Sequence, residues 1–315
     1  MTSAPRLCGL VAHWRTERSL GALLAAWPED PRYQLIVVDN GSDPALLPAV
    51  PPHVRWIAPE RNLGFAGATN RALARARAPI VLLLNPDAQP CPGALDALID
   101  GFERHPEAAA LVPELVGLDG SAQSAWQLRP LPGTLSCLRQ LCLLPGPSGP
   151  LAPPAAGAAV DQPAAAALAL RRAILEQAGG LDEGFYPAWF EDVDLARRLR
   201  ARGEAVLYWP AARFQHEQGA SVEALGYRQF LWLYNRGLRR YLRKHHPPLY
   251  RLMPVTLPLA ALARIACLPL RAPRRAVSRT DAVRGLLAAA LGALTGFSRP
   301  RELAARWRAP AERRS

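Results

Sequence analysis

Apolar residues first occur along the chain in short unbroken runs. LCGLVAH (7–13), QLIVVD (34–39) and IVLLL (80–84) are too short for helices and read as buried strands, with VRWI (54–57) a shorter one. Between them the period changes. ERSLGALLAAW (17–27) and AGATNRALARARA (66–78) carry apolar residues at helical spacing, and Pro28 and Pro79 stop each pattern. PGALDALIDGFERH (92–105) predicts a helix with proline in its first turn, and AAALV (108–112) another strand. Strands alternating with helices predict an α/β fold with a parallel, doubly wound sheet.

The second half is less regular. Residues 129–163 are rich in Pro and Gly around one short apolar segment and read as a long loop, of a kind that is usually functional or mobile. A strand resumes over 164–170, and RRAILEQAGG (171–180) is a short helix closed by glycine. FEDVDLARRLR (190–200) predicts a helix with three carboxylates in its first turn and arginines after them. That pattern complements the helix dipole, and Asp194 can reach Arg197 or Arg198. AVLYW (205–209) and ARFQH (212–216) predict two short strands, and residues 223–246 a long amphipathic helix.

Composition adds bounds to this picture. With 315 residues, half of them hydrophobic, the chain can form one large domain with an appendage or two smaller ones. Five cysteines (Cys8, Cys91, Cys137, Cys142, Cys267), with no CxxC, read as reduced thiols of a cytoplasmic protein. The N-terminus has too short an apolar run and no basic lead-in for a signal peptide. The net charge of +12 is uneven: residues 246–315 hold thirteen arginines against three acids, so the rest of the chain is nearly neutral.

In such sheets ligands sit beyond the carboxyl ends of the strands. That rule selects His13, Asp39-Asn40-Gly41-Ser42 and Asn85-Pro86-Asp87. The Asp39 stretch suits either a simple turn or a carboxylate accepting hydrogen bonds from a base or ribose. Asp87 suits a turn equally, or ligation of a hard cation, with Asn85 a weaker neutral ligand. NLGFAGATN (62–70) lacks the G-x-G-x-x-G of a dinucleotide site, and with Lys244 the sole lysine there is no P-loop. Arg61, Asn62 and Gly64 could still let backbone approach a nucleoside. His216 is either a satisfied polar residue or one returned by its strand beside the acids of 191–194. No G-x-S-x-G or zinc spacing is present.

Taken in order, VVDNGS (37–42), NLGFAGATN (62–70), LLLNPDAQPCPGAL (82–95), GGLDEGFYPAWFEDVDLARRLRARG (179–203) and YWPAARFQHEQGAS (208–221) resemble the family 2 glycosyltransferases of GT-A fold, particularly their bacterial rhamnosyltransferase-like branch. The resemblance spans roughly residues 6–245. It implies a Rossmann-like, mostly parallel sheet flanked by helices, with a helical C-terminal extension. It implies a nucleotide-diphosphate sugar donor, dTDP- or UDP-linked, and a glycan or lipid-linked acceptor. By position it implies that Asp39 contacts the base and Asn62 and Gly64 the nucleoside or phosphates. It gives Asn85 and Asp87 to the DxD-type motif, with Asp87 on Mg2+ or Mn2+ and His216 near that metal. Asp192 becomes the general base of an inverting transfer, Glu191 its support, and Trp189 a wall for the acceptor sugar. The chain departs from the family in having Asp87 as the motif's only acid and His13-Trp14-Arg15 after its first strand.

Residues 249–270 and 286–297 are apolar but interrupted by Pro254, Pro258 and Arg264 or too short for a confident span. With their arginines they suit either an interfacial anchor on an anionic leaflet, the inner face of the plasma membrane, or a helical cap on a catalytic domain of residues 1–245. Two other classes fit parts of the pattern: a nucleotide-sugar-binding protein without catalysis, and a nucleic-acid binder. Against the second, the aromatics cluster in 227–241 and do not interleave with the tail's arginines.

Overall fold

The computed structural model describes residues 4–144, 148–150, 152–217, 225–268 and 277–297. The motif residues 218–221 and much of the arginine-rich end lie outside them. The first half follows the hydrophobic pattern: β1 (Leu7–His13), α1 (Glu17–Ala26), β2 (Tyr33–Asp39), β3 (Val54–Ile57), α2 (Gly64–Leu73), β4 (Ile80–Leu84), β5 (Ala88–Pro90), α3 (Ala94–Arg104) and β6 (Ala108–Val116). The remaining elements are α4 (Ser124–Gln127), β7 (Leu128–Arg129), α5 (Thr134–Leu141), β8 (Gln162–Pro163), β9 (Ala167–Arg171), α6 (Arg172–Gln177), α7 (Glu191–Ala201), β10 (Ala205–His216), α8 (Tyr227–His245), α9 (Pro247–Cys267) and α10 (Arg279–Thr295).

Eight strands form one mixed sheet in the order β3-β2-β1-β4-β9-β6-β10-β5. Parallel pairing holds across β3, β2, β1 and β4 and again between β6 and β10. β9 runs antiparallel to both its neighbours, and β5 antiparallel to β10. An apolar strand buried on both faces carries no sign of its direction, so β9 was legible as a strand and not as a reversed one.

Three further differences have local causes. The two strands expected over 205–216 are one long strand, with its register to β6 shifting between Trp209 and Arg213. Pro210 cannot donate to a ladder and falls inside that irregularity. The expected loop of 129–163 contains α5, whose Cys137 and Leu141 are buried. The prolines that interrupt the apolar tail do not end its helix: α9 runs on through Pro254 and Pro258.

Side chains alternate across the sheet into two cores. On one face Leu7, Val11, Leu35, Val37, Leu82 and Leu84 pack with α1 and α3; on the other Cys8, Leu10, Ile36, Val38, Val81 and Leu83 pack with α2 and α7. A third core is helical, with α8, α9, α10 and α5 around Trp232, Tyr241, Met253 and Ala289. The helices after residue 245 therefore share a core with α8. α7 belongs to two cores at once, giving Leu195 and Leu199 to the sheet and Val193 to the helical layer.

Candidate active site

The register of β1 against β2 sets His13 beside Asp39, and that of β1 against β4 ends at Val11 and Leu84. The carboxyl ends of three adjacent strands thus bring His13, Asp39 and the Asn85–Asp87 turn to one edge. Asp39 is buried and its Oδ1 accepts from the Ser42 amide at 3.1 Å. His13 is wholly buried, its Nδ1 is 3.1 Å from Thr16 Oγ1, and its Nε2 has no partner. Burial lowers the His13 pKa against the opposing pull of Asp39 and Glu17.

The next segment folds over this edge. Asn40 holds it through two bonds, accepting from the Leu63 amide at 2.9 Å and donating to the Gly64 carbonyl at 3.2 Å. Asn62 accepts from the Gly64 amide at 2.8 Å, which leaves its buried Nδ2 unpartnered. Gly64 has φ +72°, and a Cβ there would stand 2.8 Å from both the Pro187 carbonyl and the Tyr186 ring. The Phe65 amide donates to that same Pro187 carbonyl at 2.7 Å. The 62–65 segment therefore joins the strand ends to the chain leading into α7.

That chain is unusual in its backbone. Trp189 and Phe190, neither of them glycine, both adopt left-handed conformations with φ +75° and +74°. Such residues cost on the order of 1–3 kcal/mol each and persist where the surroundings enforce them. Here the enforcement is visible: Phe190 is buried with its ring 5.1 Å from Tyr234 and 5.6 Å from Tyr241. Trp189 packs edge-to-face on Phe230 at 5.4 Å and is partly buried in the helical core.

The turn delivers Glu191 and Asp192 to the start of α7. Glu191 is buried, its Oε2 has no partner, and its pKa is pushed well above the usual carboxylate range, first by desolvation and then by the charge of Asp192. Asp192 is half-buried and accepts from the Val193 amide at 2.8 Å. Two residues on, Asp194 is fully buried against Arg198 at 2.8 Å, Lys244 at 2.6 Å and His245 Nε2 at 2.8 Å. Burial raises its pKa, and the bonds from His245 and Lys244 with the Arg198 charge outweigh that and hold it low. Lys244 also reaches Asp182 at 2.7 Å, so one side chain ties α8 to α7 and to the turn before it. Of the two arginines within reach of Asp194, Arg198 makes the bond; Arg197 turns to the Tyr241 hydroxyl instead.

Asp87 and His216 meet at the opposite end of the edge. β10 pairs antiparallel with β5, setting His216 opposite Ala88, and His216 Nε2 lies 3.5 Å from Asp87 Oδ1 with both side chains almost fully buried. The ring stacks on Trp126 and its Nδ1 meets Gln123 Oε1 at 2.8 Å. His216 makes no described bond or ion pair with Glu191 or Asp192, so the partner that β10 returns it to is Asp87.

Among the described residues no three His, Cys, Asp or Glu side chains converge on a complete metal site. Two donors on a magnesium or manganese ion lie roughly 3 Å apart when cis, and the Asp87–His216 separation of 3.5 Å is close to that. The pair fits a hard cation whose remaining oxygens come from a ligand. Gln123, Trp126 and Lys244 belong to none of the quoted motifs and are not singled out by the sequence pattern. The one available signal was Lys244, conspicuous as the chain's only lysine.

Comparison with known proteins supplies the chemistry's context. A model described as glycosyl transferase family 2 matches residues 15–147. An N-acetylglucosaminyl-diphospho-decaprenol L-rhamnosyltransferase of Mycobacterium tuberculosis is 32% identical over 230 residues, 65% of this chain and 73% of that protein. Among solved structures, the mannosyltransferase PcManGT from Pyrobaculum calidifontis, in complex with GDP-Man and Mn2+, has a TM-score of 0.52 at 19% identity over 94% of this chain and 89% of its own. GalNAc-T7 with UDP, GalNAc and Mn2+ has a TM-score of 0.53 at 15% identity and covers 76% of this chain, which spans about half of that protein (48%).

Proposed function

The chain belongs to glycosyltransferase family 2, rhamnosyltransferase-like and with the GT-A fold of its solved neighbours, and on that premise we propose that it is an inverting transferase. It moves rhamnose or another hexose from a dTDP- or UDP-linked donor onto a lipid-linked glycan acceptor. The observation that supports the reading is the junction of residues 62–65 with Tyr186–Pro187, which ties the segment beside the strand ends to the chain leading into α7.

On this reading Asp39 and the unpartnered Asn62 Nδ2 bind the nucleoside, Gly64 lets the 62–65 segment close on Pro187 and so holds Asn62 in place, and Asn85 flanks the phosphates. Asp87 and His216 would hold Mg2+ or Mn2+; when bound, the cation stabilises negative charge on the departing diphosphate. Asp192 removes the proton from the acceptor hydroxyl, whose oxygen bonds to the anomeric carbon as the carbon–phosphate-oxygen bond breaks on the opposite face. Glu191 is the less accessible of the two, buried with its pKa raised by desolvation and by the charge of Asp192. It supports Asp192, and Trp189 borders the acceptor sugar.

A lipid-linked acceptor places the enzyme at the cytoplasmic face of a membrane. α9 is long and apolar enough to cross one, and buries a single stripe, Leu249, Met253, Leu257 and Ala261. Leu252, Val255, Leu259 and Leu262 are exposed, as are Leu287, Leu291 and Leu294 of α10. With the arginines around them, these faces suit peripheral seating on an anionic leaflet.

The deciding experiment screens transfer and hydrolysis over a panel of nucleotide sugars, with and without manganese, for the wild type and Asp192→Asn. The variant should bind donor normally and lose about 100-fold or more in kcat. Near-normal turnover would remove Asp192 as the base, and donor binding without turnover by the wild type would make the chain a binding protein.

A further inference from the structure

Gln123 lies outside every motif discussed above, yet it makes two bonds to one histidine. Its Nε2 donates to the His216 backbone carbonyl at 2.9 Å, and its Oε1 meets His216 Nδ1 at 2.8 Å. We propose that Gln123 is a positioning residue that holds His216 as a neutral ligand, its Nε2 lone pair turned toward Asp87, so that the two side chains present a divalent cation with a preformed edge. The inference rests on the metal-assisted reading given above and names the residue that prepares its protein ligand.

A carbonyl oxygen only accepts, so the amide nitrogen of Gln123 must face it. The amide oxygen then faces Nδ1, and Nδ1 must carry the hydrogen. In a neutral imidazole this leaves Nε2 with its lone pair, and Nε2 is the atom 3.5 Å from Asp87 Oδ1. A lone pair and a carboxylate repel each other unless positive charge lies between them. The competing arrangement, an imidazolium donating to Asp87, favours a separation of roughly 2.7–2.9 Å, shorter than the 3.5 Å observed.

The ring has little freedom to escape this state. Trp126 stacks on it with centroids 5.2 Å apart and an interplanar angle of 28°. Gln123 is itself fixed to β6, because its amide donates to the Leu115 carbonyl at 2.9 Å. Four residues on, Gln127 donates to Pro113 O at 2.7 Å and accepts from the Leu115 amide at 3.2 Å. The β6 strand thus orients a histidine that arrives on β10. Outer partners of this kind commonly set the tautomer of a metal-bound histidine.

The test uses the full chain and Gln123→Met, which keeps the length of the side chain and removes both bonds. Mn2+ binding is followed by electron paramagnetic resonance in the presence of UDP and, separately, dTDP. Expected is a loss of about 10–100-fold in Mn2+ affinity with the thermal midpoint little changed. In parallel, nitrogen NMR of the histidine-labelled wild type with Mg2+ and UDP should show the hydrogen of His216 on Nδ1 and none on Nε2, with His216→Gln assigning the signal. If the wild type binds Mn2+ with neither nucleotide, the metal reading fails and takes this one with it. If the wild type binds and Gln123→Met binds equally well, only the role of Gln123 is overturned. Should the variant not fold, the wild-type NMR decides: a protonated Nε2 overturns the proposal and an unprotonated one supports it.

Discussion

At the head of α7 two adjacent carboxylates meet different surroundings. Glu191 points into the protein with Oε2 unpartnered, whereas Asp192 remains half in solvent. For Glu191 the folded pKa lies above the unfolded one, so the folded state binds more protons once pH exceeds the unfolded value near 4.3. Folding stability is therefore full at low pH and declines as pH rises from there toward the folded pKa. Glu191→Gln should remove that decline. Chemical denaturation at pH 5 and pH 8 should show the variant gaining stability relative to wild type at the higher pH. Equal differences at both pH values would show Glu191 to be ionised.

At the scale of elements, α7 is positioned from below by α8. Lys244 bridges Asp182 and Asp194, and Gly237 allows the backbones to close. A Cβ at Gly237 would stand 2.7 Å from the Trp189 carbonyl, within the left-handed turn that delivers the acids. Two effects compete in Gly237→Ala. Alanine is better in a helix interior by about 1 kcal/mol, while forcing a methyl into a filled space costs about 1–3 kcal/mol. The obstacle here is backbone, which cannot swing aside, so the steric term wins. The variant should unfold at lower denaturant concentration than wild type and transfer sugar more slowly, and an increase in stability would show that the turn is soft.

At the scale of the molecule, the helical layer has two jobs. Its inner side forms the third core, and its outer side exposes leucines that water does not favour. Because α9 and α10 pack on α8, truncation at residue 245 would strip that core and is a poor probe of membrane seating. Val255→Glu with Leu259→Glu changes only exposed positions of α9. Flotation with vesicles containing phosphatidylglycerol should carry the wild type and lose the double variant, while both retain activity toward a water-soluble acceptor. Equal flotation of the two would show that this face does not seat the enzyme.

By itself, the order of hydrophobic runs and turn residues determined the strand-helix framework, and the strand ends then picked out Asp39 and Asp87 as edge residues. The ordered motifs carried the family. Those features are local, since burial, period and chain breaks are written over a few neighbouring residues. Tertiary structure alone decided the reversed β9, the pairing of Asp87 with His216, the amide of Gln123 behind that histidine, and the desolvation of Glu191. Each depends on which distant groups become neighbours and how much water they exclude, and a lone pair or a desolvated carboxyl has no signature in the residues beside it.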